Sequence, residues 1–140
     1  ITHDRVPDHP DVIAKTPLRG GNYWPENLPG FREGVMAYFR ALNDLGQQLV
    51  PAFAVALGLE PDGLAADFAN ENNAKLRMLH YPPTEMTGND FGTAPHTDNS
   101  FMTILGRMDV PGLAIRLPSG EWLPPPLTLP APKKPSLIPC

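Results

Sequence analysis

The sequence predicts an α+β fold, with helices first and strands after. Three observations carry this. Apolar residues recur at steps of three and four over residues 31–58, the period drops to two from residue 75, and short turn signals separate the later apolar runs. At 140 residues the chain fits one domain of ordinary size.

Residues 1–30 read as a loop region, because Pro7, Pro10, Pro17, Pro25 and Pro29 and the Gly20-Gly21 pair break any period. Tyr23-Trp24 within it mark a place where the segment packs onto something. A helical region follows over 31–74. Val35, Tyr38, Leu42, Leu45, Leu49, Ala52 and Ala56 form the apolar stripe, with Arg32, Glu33, Arg40, Asn43, Asp44, Gln47 and Gln48 mostly on the other side. Pro29-Gly30 before the start and Gly58 after the end punctuate it. Pro51 lacks an N–H and is expected to kink or split the helix. A shorter helix is expected around 61–70, opening at Pro61.

Strands are expected over 75–81, 101–105, 113–117 and 121–123, with Pro118-Ser119-Gly120 as the turn between the last two. Residues 124–140 are a Pro-rich, non-regular tail. It holds seven of the chain's 19 prolines, a total well above the usual share of about 5%. Each Pro removes a ladder donor, so the tail cannot continue a central strand. Pro132-Lys133-Lys134-Pro135 has the spacing read by proline-recognising modules.

Eleven Lys plus Arg against 15 Asp plus Glu give a net charge of −4. That balance supplies no basic stripe for nucleic acid or for an anionic membrane surface. No apolar run approaches the ~18 residues of a spanning helix. The one cysteine, Cys140, excludes an internal disulfide and a Cys-based zinc site. These features point to a soluble protein of a reducing, cytoplasmic compartment with neither nucleic-acid nor membrane partners, and name no function; a monomer is expected.

The candidate chemistry is at His96-Thr97-Asp98. On extended backbone, residues i and i+2 face one side, so an imidazole and a carboxylate can lean onto one metal ion. Two His and one carboxylate on one face of a metal leave positions open for oxygen and substrate. His9-Pro10-Asp11 has the same spacing but sits in a Pro-broken stretch with no strand after it, and reads as loop surface.

Six stretches carry a wider resemblance: Gly20-Gly21-Asn22-Tyr23-Trp24-Pro25, Leu28-Pro29-Gly30-Phe31-Arg32, Ala56-Leu57-Gly58-Leu59, Leu76-Arg77-Met78-Leu79-His80-Tyr81-Pro82-Pro83, Ala94-Pro95-His96-Thr97-Asp98-Asn99-Ser100, and Asp109-Val110-Pro111-Gly112-Leu113 running on to Gly120-Glu121-Trp122. In order and spacing, residues 18–123 resemble the isopenicillin N synthase-like family of Fe(II)/2-oxoglutarate-dependent dioxygenases. The resemblance implies N-terminal helices packed on a double-stranded β-helix (jelly-roll) core, of which 75–123 is the first part. It implies Fe(II) as cofactor, 2-oxoglutarate as cosubstrate, and a role for ascorbate. It matches His96 and Asp98 to the first two iron ligands, and Tyr81 to a tyrosine whose hydroxyl helps hold a carboxylate of cosubstrate or substrate. Asn22 and Phe101 are candidates for the border of the substrate pocket.

The expected reaction is oxidation of a small organic molecule by O2 with decarboxylation of 2-oxoglutarate; a variant within the family dispenses with 2-oxoglutarate. The family also supplies a distal His some fifty residues past the Asp, and then an Arg-x-Ser. Here 42 residues follow Asp98, none is His, and no Arg lies beyond Arg116. His80, next to Tyr81 on an expected strand, faces the other way and reads as a sheet residue. The chain, which opens on Ile1, is therefore expected to be a fragment with weak metal binding and no coupled turnover. The alternative is a truncated, non-catalytic product acting as an interaction module through the Pro-rich tail.

Overall fold

The computed structural model describes residues 1–69, 72–83, 85, 91–106 and 110–125. The Pro-rich tail expected from residue 124 lies outside them from residue 126 on, as does most of the loop after Pro83. Among the described residues the order is α1 (Pro10–Ile13), α2 (Phe31–Ala56), α3 (Ala65–Phe68), β1 (Ile115–Arg116) and β2 (Trp122–Leu123). The chain divides into two compact units, Ile1–Ile104 and Leu105–Cys140.

In the first unit, α2 is the backbone of the packing. Gly30 enters it at φ 78°. Its end is a left-handed glycine cap: Gly58 has φ 77°, its N–H donates to the Val55 carbonyl at 3.0 Å, and the Leu59 N–H reaches back to Ala54 at 2.9 Å. Of the kink or split expected at Pro51, the split does not occur: the helix runs through it as one element. Only the hydrogen bond to the Gln47 carbonyl is forgone there.

The buried face of α2 is also not the expected one. Met36, Phe39, Val50 and Ala54 are buried, Ala54 completely, while Tyr38 is 50% and Leu45 41% exposed. Asn43 and Gln47, expected on the polar side, are half-buried. The true seam lies roughly a third of a turn from the Val35–Tyr38–Leu42 stripe. What covers it decides the matter. His3 meets Phe39 edge-on, with ring centroids 5.2 Å apart, and Asn72 donates to the Asn43 side chain at 3.0 Å. Gly46 faces Met102 and Ile104, and the Gln47 side chain donates to the Phe68 carbonyl at 2.9 Å.

The loop region contains a one-turn helix that the prolines obscured. His9 caps α1 by accepting the Asp11 N–H on Nδ1 at 3.1 Å, and Pro10 takes the first helical position, where no N–H is needed. Asp11 then accepts from Thr16 and Arg19, both at 3.2 Å, and Arg5 is buried beside it. The look-alike pair His9 and Asp11 is thus a capping and ion-pairing device.

Residues 1–4 are held on both sides. Thr2 exchanges two hydrogen bonds with the Asn22 side chain, and Ile1 exchanges two with the backbone of Leu76. That exchange is the only ladder-like pairing the described part of 75–81 makes; no regular strand forms there or over 101–105. Extended backbone without a neighbour at ladder distance has no partner for its N–H and C=O groups. The expected 61–70 helix shrinks to the single turn of α3.

The second unit holds the one sheet found among the described residues, an antiparallel ribbon pairing Ile115 with Leu123 and Arg116 with Trp122. Its turn is the expected one: the Gly120 N–H donates to Leu117 at 2.9 Å, and Gly120 sits at φ 91°, where an L side chain would be strained. This ribbon is the whole of the regular sheet among the described residues of 75–123, too little to make the β-helix core anticipated there.

Candidate metal centre and its tyrosine

His96 and Asp98 lie on irregular backbone leading into residues 101–104, which are pinned to the helices. Phe101 packs against Phe53 of α2 and Phe68 of α3, with centroid distances of 5.3 and 4.8 Å. Phe101, considered above as a pocket border, here anchors the ligand segment. Asn22 likewise spends its amide on Thr2.

The structure brings the two predicted ligands together. His96 Nε2 is 3.4 Å from Asp98 Oδ1, and both side chains are about half exposed. The other ring nitrogen, Nδ1, is 2.8 Å from the Ala94 carbonyl oxygen. A carbonyl only accepts, so Nδ1 carries a proton in this contact; when the ring is neutral, Nε2 presents its lone pair toward the carboxylate. Two electron-rich atoms facing one another suit a cation between them. Metal–ligand bonds of about 2.1 Å meeting near a right angle set neighbouring donors about 3 Å apart, close to the observed spacing. The outer hydrogen bond to Ala94 is the kind that orients a ligating imidazole.

The two residues therefore fit one edge of a metal's coordination sphere. Among the described residues no group of three or more His, Cys, Asp or Glu side chains comes together. His80 is exposed, and His3 is committed to Phe39 and, through Nε2 at 3.3 Å, to Asn72.

Tyr81 is placed on the same segment. Its hydroxyl lies 2.7 Å from Thr93 Oγ1, three residues before His96. Neither Thr93 nor the Ala94 carbonyl was expected to take part. Thr93 comes twelve positions after Tyr81 in the sequence, and no periodicity links them; the lone hint is Gly92, a residue that marks close approach of another group. No helix among the described residues is long and apolar enough to cross a membrane.

No family model matches the chain, and no solved structure matches it at a significant level. Curated proteins do. Isopenicillin N synthase of Penicillium rubens is 33% identical, over 81% of this chain and 38% of its own length. A 2-oxoglutarate–Fe(II) type oxidoreductase of Emericella nidulans is 32% identical, over 83% of this chain and 35% of its own. A probable iron/ascorbate oxidoreductase of Dictyostelium discoideum is 29% identical, over 86% and 39%. The chain thus spans little more than a third of the length of these relatives. On these likenesses, the chain belongs to the isopenicillin N synthase-like family of iron and 2-oxoglutarate oxygenases.

Proposed function

We propose that this chain is the part of an Fe(II)/2-oxoglutarate-dependent dioxygenase that supplies the first two protein ligands of the metal, His96 and Asp98, and a carboxylate-holding tyrosine, Tyr81. The single observation that carries this reading is the 3.4 Å approach of Nε2 to Oδ1 with the imidazole's other nitrogen tied to Ala94. When bound, the metal would supply activation of O2, coupled to decarboxylation of 2-oxoglutarate, for oxidation of a small organic substrate. The chain's own work is to present one neutral imidazole and one carboxylate at adjacent positions, and to offer a phenol hydroxyl to an anionic ligand. A jelly-roll core, a monomeric cytoplasmic protein, ascorbate as an accessory, and the absence of nucleic-acid and membrane partners belong to the same proposal.

With two ligands in hand, the chain by itself is expected to bind metal weakly and to consume no oxygen. The test is anaerobic titration with Mn(II), followed by electron paramagnetic resonance, beside oxygen uptake with Fe(II) and 2-oxoglutarate. Weak Mn(II) binding lost in His96→Ala and in Asp98→Ala supports the reading; binding indifferent to both substitutions overturns it. Oxygen uptake by the wild type that His96→Ala abolishes would keep the enzyme and overturn the inactivity of the fragment.

A further inference from the structure

Two contacts fix the Tyr81 ring, and neither is needed to bind metal. At its tip, Oη and Thr93 Oγ1 are 2.7 Å apart. Along its flank runs Gly92, where an added Cβ would fall 2.8 Å from Tyr81 Cδ1 and 3.0 Å from Cε1, closer than carbon atoms approach. The ring thus lies in a place that only glycine leaves open, and its hydroxyl ends on the one hydroxyl side chain of the Phe91–Pro95 segment.

Each of the two hydroxyls has one proton, so one donates and the other accepts. The direction decides what Tyr81 can do next. If Tyr81 donates, its only proton is spent on Thr93 and an approaching carboxylate meets lone pairs. If Thr93 donates, the phenol proton is left for the carboxylate, and the chain Thr93–Tyr81–carboxylate is polarised in one sense, each bond strengthening the next.

We propose that Thr93 is a positioning residue for Tyr81: its hydroxyl donates to Tyr81 Oη and aims the phenol proton at a carboxylate of 2-oxoglutarate, with Gly92 providing the room for the ring. The inference rests on the reading of Tyr81 as a carboxylate holder. It adds the residue that sets the hydroxyl's polarity and ties it to the segment that carries the first metal ligand.

The test uses the full chain labelled with 3-fluorotyrosine. Its three tyrosines, Tyr23, Tyr38 and Tyr81, give three fluorine resonances, and Tyr81→Phe assigns one by its disappearance. Titration with 2-oxoglutarate should move the Tyr81 resonance and leave the other two. In Thr93→Val the concentration for half the shift should rise roughly fivefold, the loss of about one hydrogen bond, and Thr93→Ser should restore it. Gly92→Ala should displace the Tyr81 resonance before any ligand is added. An unchanged far-ultraviolet circular dichroism spectrum and an unchanged Tyr38 resonance certify the fold of each variant. Thr93→Val titrating like the wild type, or more tightly, overturns the inference and leaves Tyr81 as a carboxylate holder. A wild-type Tyr81 resonance that ignores 2-oxoglutarate overturns the reading of Tyr81 itself, and the role of Thr93 with it.

Discussion

Arg32 closes on Asp4 through two nitrogens, Nη2 at 2.7 Å and Nε at 2.8 Å, both on Oδ2. The other carboxylate oxygen, Oδ1, accepts from Trp24 Nε1 at 3.1 Å and from Asn22 at 3.4 Å. One side chain therefore joins the amino-terminal segment, the Asn22–Trp24 stretch and the first turn of α2. Trp24, whose ring also packs on Phe31, is held in that joint and is not free for a ligand.

Burial alone would raise the Asp4 carboxyl. The hydrogen bonds from Arg32, Trp24 and Asn22 and the Arg32 charge outweigh it, and hold the group below its ordinary value of 3.8. A carboxylate held low in the folded chain and ordinary in the unfolded one stabilises the fold above the ordinary value. That contribution is lost as pH falls through the folded value. The urea midpoint of Asp4→Asn should accordingly sit well below that of the wild type at about pH 6 and approach it at about pH 3. A gap independent of pH would refute this.

Lys15 terminates α1 in the left-handed region at φ 51°, with its N–H on Val12 and the Thr16 N–H on Asp11. This is the hydrogen-bond pattern of a glycine cap carried by a lysine, a conformation that costs an L residue about 1 kcal/mol. Lys15→Gly should raise stability by about that amount in urea unfolding, whereas glycine in ordinary surface positions lowers it.

Gly46 lies inside α2 with Met102 Cε 3.5 Å and Ile104 Cδ1 3.9 Å from where a Cβ would stand. A methyl group there makes ordinary contacts and removes the helix penalty of glycine. Gly46→Ala should stabilise by about 1 kcal/mol. Gly46→Leu should instead destabilise by about 1–3 kcal/mol as Met102 and Ile104 are driven off. Paired denaturation curves check both signs.

Phe101→Ala removes both aromatic contacts of the ligand segment. With Phe101 still 46% exposed, the expected cost is about 1–2 kcal/mol, below that of a buried phenylalanine. Because Phe101 anchors the backbone three residues past Asp98, Mn(II) affinity should fall in the same variant; Phe101→Leu should recover part of both.

The ends of α2 were legible, since Gly30 and Gly58 act through their own backbone. Its buried face was not. Apolar residues occupy more than one side of the helix, and the side that is covered depends on His3, Asn72 and Met102, all remote in sequence. The approach of His96 to Asp98 was legible in their spacing of two, although no strand forms there. The polarity of the imidazole and the partner of Tyr81 were not, since both depend on how the loop before His96 folds. The period-two run at 75–81 and the apolar run at 101–105 were read as strands. An apolar pattern reports side-chain direction and burial, and a strand also needs a neighbour to bond along its length. Among the described residues only 115–116 and 122–123 pair as strands, while 75–81 has the single exchange of Leu76 with Ile1.

Four apolar side chains are buried among the described residues, whereas 23 large ones meet solvent. The heat-capacity change of unfolding tracks newly wetted apolar surface. Much of that surface is wet already in the folded chain, so the heat-capacity change per residue should fall below the usual value of roughly 12–15 cal/mol/K. Calorimetry should then trace a shallow dome of stability against temperature, with a broad endotherm and little penalty on cooling.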